Sequence, residues 1–304
     1  MRFLSAILLA ATAVTSFICA EAQLPMRTHS IAMPYIDDDL QNHWFDFGGD
    51  TIINTNRQIR LTSNQQSQVG FLWSRLPIVD DNFEVEFEFR VHGSSGHLYG
   101  DGFAMWLVKE RLGTGDVFGA TNRFDGLGIF FDTYDNERAH RHTFPYITSM
   151  LGNGMAVYEN DKDGRTTELV EGCEADFRMK EFPTRGKLTF YRNNYLQLDV
   201  MWKEEDVWTQ CFKAYKVQLP ERMYLGFTAH TGEVTDNHDI VSVEAKSLTA
   251  KPIEAAPVVN VPKPKRSSGG FFSFIFKLLV AAGLVAVLFV GYRLYENKNR
   301  MKRF

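Results

Sequence analysis

Between Phe83 and Val91 the chain alternates strictly, with Phe83, Val85, Phe87, Phe89 and Val91 apolar and Glu84, Glu86, Glu88 and Arg90 charged. A period of two puts these sets on opposite faces of an extended strand. Further short runs, alternating or wholly apolar, follow at Phe103–Val108, Leu127–Phe131, Lys187–Arg192, Tyr195–Trp202, Tyr224–Ala229 and Ile240–Ala245, each bounded by Gly, Asn or Asp. From Leu24 to about Leu248 there is neither a helix-length periodic segment nor a repeat of fixed period. Many short strands separated by turn residues predict an all-β antiparallel sandwich or jelly roll. Asn193-Asn194, between two apolar runs, predicts a tight hairpin.

Both ends of the chain have a different pattern. Met1-Arg2 precedes an apolar run, Phe3–Ala13, and then Cys19-Ala20-Glu21-Ala22, which predicts a secretory signal peptide over residues 1–22. A strand-rich luminal domain is expected over 23–248. Residues 249–270 carry Pro252, Pro257, Pro262 and Pro264 and end in Ser-Ser-Gly-Gly, as a stalk would. Residues 271–292 are mostly Phe, Leu, Val, Ala and Gly; as one helix they would extend about 33 Å, enough to cross a bilayer core. Lys277, the only charge inside, lies where its stem can reach back to the headgroups. Residues 293–304 hold five basic residues against one acid, the flank expected on the cytoplasmic side. The expected topology is a single-pass type I membrane protein, the alternative for the apolar segment being a buried core helix.

The 304 residues are 44% hydrophobic with a formal net charge of −4, a balance that gives no reason to expect nucleic-acid binding. Residues 249–270 contain no heptads, so no coiled-coil oligomer is expected. With Cys19 in the signal segment, Cys173 and Cys211 are left as an even pair in an oxidising compartment, which favours one disulfide over two separate buried thiols. No Asn-x-Ser/Thr acceptor occurs, so N-linked glycans are not expected on the chain itself.

Three constellations could carry chemistry. Glu84, Glu86 and Glu88 form a row of carboxylates of the kind a jelly-roll glycosidase could use as acid and nucleophile, or they are the solvated outer face of a phenylalanine core. Asp132 and Asn136 bracket Tyr134 at the end of an apolar strand, where two side-chain oxygens and a backbone carbonyl could meet on a hard cation; oxygen donors suit calcium rather than zinc. Tyr158–Gly164 resembles the opening of an EF-hand, but counting from Gly164 puts Val170 where the bidentate Glu belongs, so that reading fails. Asp163-Gly164 is then either a hairpin turn or the source of a second carboxylate for the cation near Asp132.

Taken together, Gly100-Asp-Gly-Phe-Ala-Met-Trp106, Asp116-Val-Phe-Gly119, Phe131-Asp-Thr-Tyr-Asp-Asn136, Phe144-Pro-Tyr-Ile147, Lys162-Asp-Gly-Arg165, Cys173-Glu-Ala-Asp-Phe-Arg178 and Thr235-Asp-Asn-His-Asp-Ile240 form an ordered set. On these motifs, residues 40–248 resemble the leguminous-type (L-type) lectins of the early secretory pathway, most nearly their vesicular integral-membrane cargo receptors. The resemblance implies a concanavalin-like jelly-roll β-sandwich beside one transmembrane helix. It also implies a non-enzymatic lectin of the ER, ER–Golgi intermediates and Golgi that binds high-mannose glycans on cargo glycoproteins with Ca2+. Carried over by position, Asp132, the Tyr134 carbonyl, Asn136 and Asp163 fall where the family binds calcium. Ser67, Asp101, Asn136, Asn160 and the loop Gly232-Glu233-Val234 fall where it holds mannose. The pair Cys173 and Cys211 matches its disulfide, and Gly100–Asp101 is a candidate cis peptide.

Two positions depart from the family pattern. Asn160 stands where His is usual, so any proton switch at that position is lost; Gly232-Glu-Val234 stands where Gly-Asp-Leu is common, which could alter the pocket. His230, next to this loop, is either a compensating group or an ordinary strand-end histidine. Phe304, behind Lys302-Arg303, is a candidate contact for a transport coat or merely the end of a basic flank. The competing expectations are a membrane-anchored glycoside hydrolase on Glu84, Glu86 and Glu88, and a luminal module whose sugar site is degenerate.

Overall fold

A computed structural model describes residues 23–137, 142–249, 279 and 282–294. The chain divides into two compact units, Met1–Ala255 and Ala256–Phe304. In the second, the described residues 279 and 282–294 are helical. Among the described residues no helix is long and apolar enough to cross a membrane, and the rest of the expected span, like the signal segment, lies outside them.

The first unit contains β1 (Gln23–Pro25), β2 (Phe45–Gly49), β3 (Ile52–Asn54), β4 (Gln58–Thr62), β5 (Val69–Ser74), β6 (Asn82–His92), β7 (Gly102–Val108), β8 (Thr114–Val117), β9 (Asp125–Asp132), β10 (Tyr146–Asn153), β11 (Cys173–Glu174), β12 (Thr184–Tyr191), β13 (Tyr195–Met201), β14 (Thr209–Tyr215), β15 (Tyr224–His230) and β16 (Asn237–Leu248). All but β8 build two antiparallel sheets. One has eight strands in the order β14-β13-β12-β6-β16-β4-β3, with β1 also paired to β16; the other has seven in the order β11-β10-β9-β7-β15-β5-β2. The expected sandwich is therefore present, with β6 at the middle of the larger sheet.

The alternation in β6 explains which face goes inward. Phe83, Val85, Phe87, Phe89 and Val91 are buried and meet Phe103, Phe131 and Phe227 of the opposite sheet. Phe103 and Phe131 stack with centroids 4.4 Å apart, and Phe177 packs edge-on against Phe89 and Phe131. On the outer face Glu84, Glu86 and Glu88 stand opposite Thr189, Lys187 and Arg185 of β12. Arg185 Nε lies 3.4 Å from Glu88 and its Nη1 3.7 Å from Glu86. The row is a cross-strand charge ladder on a sheet face, the outer-face reading of the two offered by the alternation.

The seven-stranded sheet is covered on both sides. Every residue of β7 is buried, and so is β9 from Gly126 onward. A second apolar cluster, including Trp73, Trp106, Val117, Phe118, Phe124, Phe130 and Tyr158, lies on its far face under the 112–124 and 154–158 segments. This is why Phe103–Val108 and Leu127–Phe131 read as continuous apolar runs rather than alternating ones. Trp106 Nε1 donates to Thr228 Oγ1 at 2.8 Å, and that hydroxyl donates to the Phe118 carbonyl at 2.7 Å, tying the covering segment to the sheet.

The hairpin expected at Asn193-Asn194 joins β12 to β13, with Asn193 in the left-handed region at φ 61°. The hairpin turn offered for Asp163-Gly164 is replaced by a different form: the two residues, both left-handed, sit between short 3-10 turns at Asn160–Lys162 and Arg165–Thr167. Cys173 and Cys211 are bonded. They link β11 to β14, an outer strand of each sheet, so the bond fastens one sheet to the other.

Replacing both cysteines by serine is expected to lower unfolding free energy by about 3–4 kcal/mol, the loop-closure contribution for this separation, read by urea denaturation. A second expectation concerns His238, which is buried with Nδ1 2.7 Å from Thr62 Oγ1 and with no partner for Nε2. Burial pushes its pKa down to about 3, against an opposing pull from Asp239. The unfolded chain therefore takes up a proton that the folded chain refuses. The stability this residue contributes is complete above the unfolded pKa of about 6.5 and is lost as pH falls toward about 3. Denaturation midpoints of His238→Gln should change less than those of the parent between about pH 7 and about pH 4.5; equal changes would contradict this.

Candidate functional site

β7 begins, and β9 and β15 end, at one end of the seven-stranded sheet, because Gly102 pairs with Asp132 on one side and with His230 on the other. That register gathers the sequence-predicted residues. A cleft of about 280 Å³ is lined by Asp101, Asp116, Phe118, Asp132, Asn136, Tyr158, Asn160 and His230. A larger one of about 870 Å³ lies at the opposite end of the sheet among Lys109, Asp125, Leu151, Leu219 and Tyr224; it contains none of the expected residues and mixes both charge signs.

Asp132, the last residue of β9, is 3% exposed and accepts a hydrogen bond from the Tyr134 N–H at 2.9 Å. Burial holds its carboxyl well above the usual carboxylate range; the Tyr134 N–H opposes this, and the charges of Asp163, Asp101 and Asp135 push it further up. Asp163 reaches the same place from the left-handed turn. Its Oδ1 accepts from the Asn136 backbone at 3.1 Å and from Asn136 Nδ2 at 3.0 Å, and its Oδ2 accepts from the Glu137 N–H at 3.2 Å. Burial raises the Asp163 pKa too, with these donors opposing it. Asn136 Nδ2 also lies 3.4 Å from the Tyr134 carbonyl. The structure thus brings Asp132, Tyr134, Asn136 and Asp163 together.

The turn holding Asp163 is shaped by Tyr158. A Cβ on Gly164 would lie 2.1 Å from the Tyr158 ring, so only glycine lets the ring close over the turn. The same ring packs on Phe130 and Phe118, while Asn122 grips the Tyr158 backbone at both its N–H and carbonyl. Its hydroxyl and the Thr133 hydroxyl are buried without hydrogen-bond partners. No three His, Cys, Asp or Glu side chains among the described residues converge as a metal site. The expected set has another make-up: two carboxylates, an amide and a backbone carbonyl. Its crowded, partly desolvated negative charge suits a hard divalent cation, toward which Asn136 would turn its Oδ1 in place of the Nδ2 that now faces Asp163 and the Tyr134 carbonyl.

Around this centre, the Gly100–Asp101 peptide is cis, as expected. The Asp101 carboxylate meets His230 Nδ1 at 2.9 Å, its N–H donates to the His230 carbonyl and its carbonyl accepts from the Thr133 N–H. His230 is therefore part of the cleft, not an ordinary strand-end residue. Asn160 Nδ2 donates to the Asp116 carbonyl at 3.2 Å. Ser67 and Gly232-Glu233-Val234 lie on the rim. The Ser67 N–H donates to the Gly232 carbonyl, Gln66 holds the Glu233 carbonyl, and Gly232 faces the Asp101 carboxylate closely enough that a Cβ there would stand 3.2 Å from Oδ2. Val234 covers Gly100, and the Glu233 side chain is exposed. Asp116, Phe118 and Tyr158 were not expected in the site; Asp116 and Phe118 belong to the Asp116-Val-Phe-Gly119 motif, which is the signal that could have placed them.

The family model described as the legume-like lectin family matches residues 23–255. Vesicular integral-membrane protein VIP36 of Homo sapiens is 35% identical, with 91% of this chain and 84% of that protein covered. An L-type lectin-like domain-containing protein of Schizosaccharomyces pombe is 32% identical, with 89% of each covered. Among solved structures, the VIP36 exoplasmic/lumenal domain in its Ca2+/Man2-bound form superposes with a TM-score of 0.70 at 36% identity, covering 77% of this chain and 92% of that one. The chain belongs to the legume-like lectin family.

Proposed function

We propose that the protein is a calcium-dependent lectin for high-mannose glycans, acting as a single-pass type I cargo receptor for glycoproteins moving between ER and Golgi. The observation that carries this reading is the meeting, in one cleft, of Asp101, Asn136 and Asn160 with the buried Asp132, while the half-buried Asp163 is hydrogen-bonded to Asn136 at its edge. The VIP36 domain with Ca2+ and Man3GlcNAc, at 36% identity and a TM-score of 0.68, supports the ligand class. The apolar run 271–292 and the basic flank behind it support the membrane anchor, with Phe304 as a contact for a transport coat.

In this reading Asp132, Asp163, Asn136 and the Tyr134 carbonyl would hold a calcium ion, whose positive charge would let both carboxylates stay ionised. The chain's own groups do the recognition. Asp101, oriented by His230, accepts from sugar hydroxyls; Asn136 and Asn160 offer amides that both donate and accept; Ser67 and Gly232-Glu233-Val234 form the rim. An epimer that misdirects one hydroxyl leaves a polar group unpaired, at a cost of roughly 1–3 kcal/mol. A few such bonds in an open cleft hold one hexose at about −4 kcal/mol, near millimolar, so extended mannose arms are the working ligands. Weak capture suits cargo that must be released.

The test is a glycan array probed with the protein in calcium and in chelator. High-mannose glycans should be retained in calcium alone; equal retention in both, or none in either, overturns the reading. Two substitutions separate the parts of the site. Asp101→Asn should weaken mannose binding by about tenfold or more, one charged hydrogen bond's worth, while calcium binding by calorimetry falls far less, since Asp101 acts on the cation centre only through its charge. Asp163→Ala should lose calcium and glycan together.

A further inference from the structure

Arg178 lies outside the cleft, yet its guanidinium touches both segments that make the rim. Nε and Nη2 form a two-pronged pair with Asp236, at 2.7 and 2.8 Å, where Arg178 is 9% exposed and Asp236 is fully buried. Nη2 also donates to the Ser95 carbonyl at 2.7 Å, and the guanidinium carbon lies 3.9 Å from the centre of the Tyr99 ring. Ser95 and Tyr99 belong to the 93–101 segment that leads into the cis peptide before Asp101. Asp236 ends the loop that carries Gly232, Glu233 and Val234.

Arg178 is itself fixed from behind. Phe177 is fixed in the core, the Met179 N–H donates to the Val91 carbonyl at 2.9 Å, and Arg178 bridges to Val91 at the end of β6. The approach of the segments also constrains Gly93, where a Cβ would stand 2.2 Å from Asp236 Oδ1. Above this, Val234 covers Gly100 and Gly232 faces Asp101, so any slip between the two segments moves the Asp101 carboxylate against its rim. A buried ion pair is a weak source of net stability, because desolvation offsets much of its attraction. What the fork does well is fix geometry: a planar guanidinium can hold a carboxylate with two bonds, a carbonyl with another and a ring by its face, and an ammonium cannot.

We propose that Arg178 is a positioning residue for sugar binding, a clamp that locks the 93–101 segment to the 231–236 loop and so sets Asp101 against Gly232-Glu233-Val234. This rests on the lectin reading above. Arg178 makes its hydrogen bonds to Asp236 and Ser95 and none to Asp132, Tyr134, Asn136 or Asp163, so the clamp acts first on the sugar rim and reaches the cation centre only through Asp101, whose carbonyl accepts from the Thr133 N–H.

The experiment compares the full chain with Arg178→Lys, which keeps the charge and loses the fork. Calorimetry with a high-mannose oligosaccharide and with calcium alone is combined with amide hydrogen exchange. Arg178→Lys should bind the oligosaccharide about tenfold more weakly and calcium within about twofold of the parent. Exchange should quicken in residues 94–101 and 231–235 while β12, β13 and β14 keep their protection. Tyr99→Ala should give the same split and Tyr99→Phe should restore parent behaviour, which decides the matter if Arg178→Lys fails to fold. Parent-like exchange in both segments overturns the proposal, as does faster exchange throughout both sheets with calcium binding falling in step. If the parent itself binds no oligosaccharide, the lectin reading fails, and the exchange pattern still decides whether the clamp exists.

Discussion

The site is organised by a carboxylate almost wholly withdrawn from water at the floor of a cleft. Asp132 ends a strand that is buried on both faces, and Asp101 and Asp163 bring further negative charge beside it. Ionised carboxylates in such surroundings are costly unless something of opposite sign offsets them. Here backbone N–H groups and amides do part of this: Tyr134 donates to Asp132, and Asn136 and Glu137 donate to Asp163. His230 faces Asp101. What these donors leave uncompensated is the electrostatic reason the centre suits a divalent cation.

That charge is tolerable because its surroundings are rigid. The two sheets solve the problem of their outer faces differently. The eight-stranded sheet exposes a ladder of Glu, Arg and Lys across β6 and β12. The seven-stranded sheet is covered by loops, and the loops are held by Phe118 stacked on Phe130 and by Tyr158 tilted against it. The covering loops are the ones that present Asp116, Asn160 and Asp163, so the packing that shields the sheet also fixes the functional groups. Loops carried on a rigid scaffold in this way are a common location for recognition chemistry.

Much of this was legible because it depends on local pattern. Strict alternation identified β6 and its inward face, continuous apolar runs identified β7 and β9, and paired asparagines identified the β12–β13 hairpin. The grouping of Asn136 and Asp163 near Asp132 came from ordered motifs, since spacing alone could not say whether Asp163 turned toward it. Spacing leaves the turn at Asp163-Gly164 open between a hairpin and a source of a second carboxylate, because its shape depends on Tyr158, a tertiary contact. His230 was ambiguous for a similar reason. Its place beside Asp101 follows from the register of β15 against β7, and no residue near it in the chain announces that pairing. The role of Glu84, Glu86 and Glu88 also needed the partner strand, because a row of carboxylates looks the same whether it faces a substrate or Arg185.

The two departures from the family pattern fall on different parts of this architecture, and the geometry separates their consequences. Asn160 is built into the cleft: its amide nitrogen is committed to the Asp116 carbonyl, so it joins the 154–160 segment to the motif around Asp116. An amide there keeps a fixed hydrogen-bonding pattern across the pH range where an imidazole would change charge. Glu233 is different. Gln66 holds its backbone carbonyl while its side chain is exposed, so the extra methylene lengthens a carboxylate of the outer rim without changing its charge or entering the floor. On the lectin reading proposed above, an effect of Glu233 would therefore fall on residues of a ligand that extend beyond the first sugar, whereas Asn160 would act on a sugar in the cleft itself.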